Sequence, residues 1–148
     1  MLLVTILAGT AAVRLDLSLA IRLADTAIGA CASRNAPVSA SVVDKDGNPL
    51  VVLRADASPK LPVAAPAKAA AAAMFDSPGS VMEQREKSDA DFAARIAGSG
   101  GKLIAHGGSL PLHQDGHVIG GLAVADVDHA TADVCAREAL AKVAPELR

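Results

Sequence analysis

Aromatic side chains are almost missing from this sequence: two Phe, no Tyr and no Trp among 148 residues. The core must then be built from Ala, Val, Leu and Ile. Each of these buries little area, so a subunit interface is expected to supply part of the stability. The same shortage removes the stacking platform on which single-stranded nucleic acid is held. An excess of positive charge is missing too. The formal net charge is −2, with Lys and Arg scattered, which leaves no electrostatic footprint for nucleic acid.

Cysteine is scarce. Cys31 and Cys135 lie far apart inside helix-like segments without CxxC spacing. They read most simply as two buried small hydrophobes rather than a disulfide or ligand pair. A reducing, cytoplasmic location fits that reading. There is no HExxH or related spacing, so no structural metal is expected. GxGxxG after a first strand, GKS/GKT and GxSxG are also absent. No run is long enough to cross a bilayer, and the apolar opening from Leu2 to Ala8 has no basic residue before it. Residues 1–14 are read as an N-terminal arm, irregular or strand-like, with an export signal as the alternative.

What is present is a chain the length of one ordinary domain, 1–148, and 51% hydrophobic. From Asp16, a plausible N-cap, Leu17, Ala20, Ile21, Ala24, Ala27, Ile28 and Cys31 recur at helical spacing, and Asn35 and Pro37 stop the helix. Residues 38–44 and 50–54 read as two strands joined by a Lys-Asp-Gly-Asn-Pro turn. An alanine-rich helix follows, starting at about Val63 to Pro66 and placing Lys68 near its N-terminus. A cation is mildly disfavoured there unless an anion binds nearby; the alternative is a solvated lysine on an alanine helix. The polar segment 77–98 predicts one or two short helices with a break near Ser88 and a solvated charged face.

Residues 106–126, HGGSLPLHQDGHVIGGLAVAD, hold three of the four histidines and two Gly-Gly pairs. Asp115-Gly116 predicts a tight turn, with Leu110–His113 entering and His117–Val124 leaving. Gly107-Gly108 and Gly120-Gly121 are expected at the outer ends of this hairpin, where missing side chains let backbone or ligand come close. A last helix follows, capped by Asp128 and stopped by Pro145. Hairpins separated by helices predict an α+β class, an antiparallel sheet with helices packed on it.

At these positions the sequence resembles a known family. Asp44-Lys-Asp-Gly-Asn-Pro-Leu50, Arg54, Asp56, Lys68-Ala69 in a helix ending at Phe75, Gly107-Gly108-Ser-Leu-Pro-Leu112, Asp115-Gly116, Val118-Ile-Gly120 and Asp133 together resemble the GlcG/HbpS family, met also as the C-terminal half of PduO-type cobalamin adenosyltransferases. The resemblance runs from about Leu15 to the C-terminus. It implies a profilin-like fold with a central antiparallel sheet flanked by helices, assembly into dimers or larger rings, and, for some members, haem binding or degradation. Two departures fall where a pocket would be lined. Ala123-Val-Ala-Asp126 stands where the family has Gly-Val-Ser-Gly, and Pro78-Gly79 where it tends to have Pro-Thr.

Two functions follow as expectations. The first is a domain binding a small carboxylate-bearing ligand, with haem or a related tetrapyrrole as the family-derived candidate and cofactor. Lys68 would hold a carboxylate and His106 would approach a metal centre. Gly107, Gly108, Pro111, Gly120 and Gly121 would line the space for a flat body. The second is an enzyme acting on a small organic acid, with Lys68 as anion anchor and Asp44 or Asp126 as general base, since both end buried strands. His113 and His117 flank the hairpin turn and could share a face, though such residues often serve only the turn. His129 is expected at the surface. A homodimer or higher even-numbered assembly is expected, through the N-terminal arm or the alanine helix.

Overall fold

A computed structural model describes residues 15–56, 58, 60 and 62–147; the arm expected at 1–14 lies outside them. Helix α1 (Leu17–Ala32) begins as its sequence dictates. The Asp16 side chain accepts from the Leu19 N–H at 2.8 Å. The buried stripe runs through Leu19, Ala20, Leu23, Ala24, Ala27 and Cys31, while Leu17 and Ile21, expected on it, are exposed, because α1 turns Leu19 and Leu23 to the sheet. Strands β1 (Ser39–Asp44) and β2 (Pro49–Arg54) form the first hairpin. Helices α2 (Ala64–Phe75), α3 (Gly79–Ser88) and α4 (Ala90–Ala97) follow, the last two parting at Asp89. The chain then returns as β3 (Ser109–Gln114) and β4 (His117–Ala125) and ends in α5 (His129–Val143). Strand β4 lies beside β1, giving the order β2-β1-β4-β3 with every pair antiparallel. The expected α+β class is the one adopted.

Alternation along the strands gives the sheet two different faces. Ala40, Val42, Leu110, Leu112, Leu122 and Val124 pack against α1 and α5 in the larger core. Val43 and Ala123 meet Ala69 and Ala73 of α2 on the other side. Helix α2 has no exposed polar face to speak of: Ala65 and every residue from Ala67 to Ala73 is buried. Such burial demands small side chains on both partners. A Cβ at Gly121 would collide with the Ala69 carbonyl oxygen, and one at Gly120 with Leu15 and the Val43 carbonyl. These two glycines sit within β4 rather than at its end, and the body that approaches Gly121 is helix α2. Beyond α2, Met82, Phe92 and Ile96 of α3 and α4 pack on Ala71, Ala72 and Ala105. The only two aromatic residues, Phe75 and Phe92, meet edge to face at 5.0 Å.

The expectation of two separate buried thiols is overturned. Cys31 and Cys135 form a disulfide, their Cα atoms 5.5 Å apart across 104 residues of sequence. The sheet built by the intervening residues is what lays α1 beside α5, so no local spacing could announce the pair. The reducing compartment inferred from unpaired thiols loses its support. Among the described residues, no helix is long and apolar enough to cross a membrane.

Candidate functional site

Beside the N-terminal end of α2 lies a cleft of about 520 Å³, bounded by Lys60, Val63, Lys68, His106, Asp126 and His129 among others. Three residues singled out from the sequence meet here: Lys68 from α2, His106 from the loop before β3, and Asp126 from the end of β4. The lysine is not a solvated one. It is 3% exposed, and its Nζ donates to the Val124 carbonyl at 2.7 Å. Burial pushes its pKa down to about 8, against the pull of Glu83, Asp126 and Asp133.

Asp126 holds a left-handed backbone, φ 80. For a residue with a Cβ such a conformation costs on the order of 1 kcal/mol or more. The resemblance expects glycine at this position, for which the geometry is free of strain. Here the left-handed position carries a carboxylate instead. That carboxylate accepts from Ser39 Oγ at 2.6 Å and from Ser58 Oγ at 3.4 Å, and both serines are buried.

The opposite wall carries two imidazoles. The rings of His106 and His129 lie 4.8 Å apart between centroids. His129 Nδ1 is 2.9 Å from Glu83 Oε2, which also accepts the Gly107 N–H at 3.0 Å. Burial opposes ionisation of Glu83, but the Gly107 N–H and the two imidazoles hold its carboxyl below the usual range. Glu86 stands 3.9 Å from His106 Nε2. His129 is exposed, as expected, and also lines the cleft, because the first turn of α5 is laid over Gly107 and Gly108. A Cβ at Gly108, φ 96, would collide with Ala132 and come 3.0 Å from Lys68 Nζ. The Gly108 N–H donates to Asp133 at 3.1 Å. The space freed by this glycine pair is therefore taken by α5 and by the lysine. Gly79 acts similarly: a Cβ there would collide with the His106 carbonyl and Ser109 Oγ, so α3 lies close enough for Glu83 to reach His129.

Other sequence candidates lie elsewhere. Asp44 accepts from the backbone N–H groups of Asp46 and Asn48 at 2.9 Å each. Burial would raise its carboxyl; these donors, with the Asn48 side chain and Lys45, bring it below the ordinary value. It shapes a turn. It also pairs with Gly120, whereas Ser39, bonded to Asp126, pairs with Ala125, so the two aspartates stand at opposite ends of the sheet. Pro111 pairs with Gly121 and lines a separate groove with His113 and Leu140. His113 and His117 do not converge. They pair with Val118 and Gln114 in successive rows and so project from opposite faces, His113 contacting Asp76 at 2.5 Å.

Sequence reasoning missed Lys60, Glu83 and His129. A signal exists for Glu83, since Glu83 and Glu86 share one face of a helix at i,i+3 spacing, but charges so spaced ordinarily mark a solvated face. Among the described residues, no group of three or more His, Cys, Asp or Glu is placed to hold a metal ion.

Comparison with known proteins gives a consistent result. A crystal structure of HbpS is 28% identical, matching 89% of this chain and 92% of that one with TM-score 0.75. A crystal structure of a PduOC:heme complex is 25% identical over 87% of this chain and 94% of that one, TM-score 0.79. The Klebsiella pneumoniae protein ORFY, 22% identical over 92% and 95% of the two chains, shares the fold at TM-score 0.78. No curated protein sequence matches significantly. A family model described as haem degrading protein, HbpS-like, matches residues 15–141, and the chain therefore belongs to the HbpS-like family.

Proposed function

We propose that the cleft binds a carboxylate-bearing small molecule, with haem or a related tetrapyrrole as its ligand. The observation that carries this reading is the histidine wall. Glu83 accepts the Nδ1 proton of His129, which fixes the tautomer and leaves the Nε2 lone pair for a metal centre. The donor set thus fits haem, whose iron would supply a centre for an axial nitrogen. His129 or His106 would hold the iron. Lys60 at the rim, the Lys68 ammonium and the backbone at the start of α2, which has no side-chain cap, would meet carboxylates. The relative solved as a heme complex supports the choice of ligand. Haemin titrated into the protein should give a shifted, saturable Soret band, weakened in His129→Ala. A band that neither shifts nor saturates refutes the reading.

A second reading, an enzyme acting on a small organic acid, is favoured by Asp126, whose strained backbone places a carboxylate in the same cleft as Lys68. Asp44, committed to its turn, is not carried into it. Equal turnover by wild type and Asp126→Asn would remove Asp126 from any mechanism. For assembly we propose a homodimer or higher even-numbered oligomer. Val63 and Met74, 72% and 53% exposed, lie along an open groove on α2. Light scattering at the 14.8 kDa monomer mass would refute it. For location, the bonded cysteines favour an oxidising compartment over the cytoplasm expected from sequence. Thiol titration of protein denatured directly from its source decides between them.

A further inference from the structure

We propose that Lys68 is an amine nucleophile that captures a small aldehyde or ketone in the cleft as a Schiff base, with Asp126 as its proton shuttle. The inference rests on the cleft being a ligand site, the premise of the function above. Two geometric facts carry it. Nζ is buried in the cleft wall and held by a hydrogen bond to the Val124 carbonyl. A neutral amine can give that carbonyl one N–H and keep its lone pair for attack. The second fact is Asp126, fixed in the same cleft by Ser39 on a strained backbone. A desolvated lysine that shares a cleft with a carboxylate is the arrangement that carbinolamine chemistry needs.

The step balances without a co-reactant. The Lys68 lone pair adds to the carbonyl carbon, forming a C–N bond, while the π pair moves to oxygen. Asp126 carries one nitrogen proton to the alkoxide, giving a carbinolamine, and then the second nitrogen proton to its hydroxyl, which leaves as water as the C=N bond forms. Carbonyl compound plus amine gives imine plus water. The lowered pKa of about 8 supports this. At pH 7 it leaves roughly 10% of the amine neutral, against roughly 0.03% for an ordinary lysine. The groups facing the amine are Glu83 from α3, Asp126 after β4 and Asp133 from α5, with His106, His129 and Lys60 around the cleft.

The test is reductive trapping of the intact protein with acetaldehyde and cyanoborohydride at pH 7, followed by peptide mass mapping. Lys68 should be ethylated about tenfold or more faster than the other five lysines. Labelling spread over exposed lysines with Lys68 unmodified overturns the proposal, and no variant needs to fold for that result. Asp126→Asn separates proton transfer from simple electrostatics. Removing the carboxylate lowers the lysine pKa further, so an electrostatic neighbour would leave labelling faster and a shuttle would leave it slower, as expected here. Haemin tells the two readings apart. If haemin binds and Lys68 is never labelled, this inference alone fails. If Lys68 is labelled and haemin neither binds nor protects it, the haem reading alone fails.

Discussion

Lys68→Met tests the electrostatics of the cleft through stability alone. In the folded chain the amine is lowered by burial from an ordinary 10.5 to about 8, with Glu83, Asp126 and Asp133 resisting the fall. Below pH 8 both states are protonated and the fold bears the whole cost of a desolvated charge. Between pH 8 and 10.5 the unfolded chain binds the extra proton, so stability must rise with pH. A shift of that size corresponds to about 3 kcal/mol gained across the window. Methionine, similar in length and uncharged, should show no such rise, although it leaves the Val124 carbonyl without its donor. The composition makes this window unusually clean, because there is no tyrosine and both cysteines are bonded. Exposed Lys45, raised by its Asp46 partner, acts in the opposite direction and is common to both proteins. Urea unfolding followed by far-UV circular dichroism, at several pH values with the disulfide intact, gives the two curves. Parallel curves would show that the Lys68 amine is solvated, and the account of the cleft would collapse with it.

Other expectations follow from the packing. Gly121→Ala drives a methyl into the Ala69 carbonyl of a largely buried helix, and should cost about 2–3 kcal/mol in urea unfolding. Replacing Cys31 and Cys135 together by Ala opens a loop of 104 residues. It should cost on the order of 4 kcal/mol, and an oxidised wild type no more stable than its reduced form would contradict the bond. Glu83 is held below the ordinary carboxylate value once its donors outweigh burial. Its contribution is present above the unfolded-state value and lost as pH falls through the folded one, so Glu83→Gln should have a shallower acid limb than wild type. An identical acid limb would mean that the Gly107 and His129 contacts do not form in solution.

The helices and hairpins were legible because they rest on local rules. The Asp16 cap and the Asp115-Gly116 turn each declare themselves within a few residues. Helix α2 was legible as a helix but not in its placement. Eight neighbouring alanines and a lysine give no contrast between faces, so nothing in the sequence distinguishes a largely buried helix from an exposed one. Hence Lys68 could be read as solvated. The cleft was half legible. Lys68, His106 and Asp126 each stand out in the sequence for a separate reason, yet their convergence depends on β4 pairing with β1 and on α2 crossing both. His129 and Glu83 join through a contact spanning 46 residues, and the disulfide spans more than twice that. Such pairings belong to topology, and a reading that proceeds residue by residue has no access to them.

The Cys31–Cys135 bond also sets where tension can travel. It closes a covalent ring and leaves only residues 1–30 and 136–148 as tails. A pull between the start of α1 and the end of α5 would run along α1, cross the sulfur–sulfur bond and leave through the last two turns of α5. The four strands, α2 and the cleft lie off that line. Force spectroscopy on the oxidised chain should therefore release only short extensions. Reduction would remove the bypass and free roughly 350 Å of hidden contour length, the span of the ring at about 3.4 Å per residue.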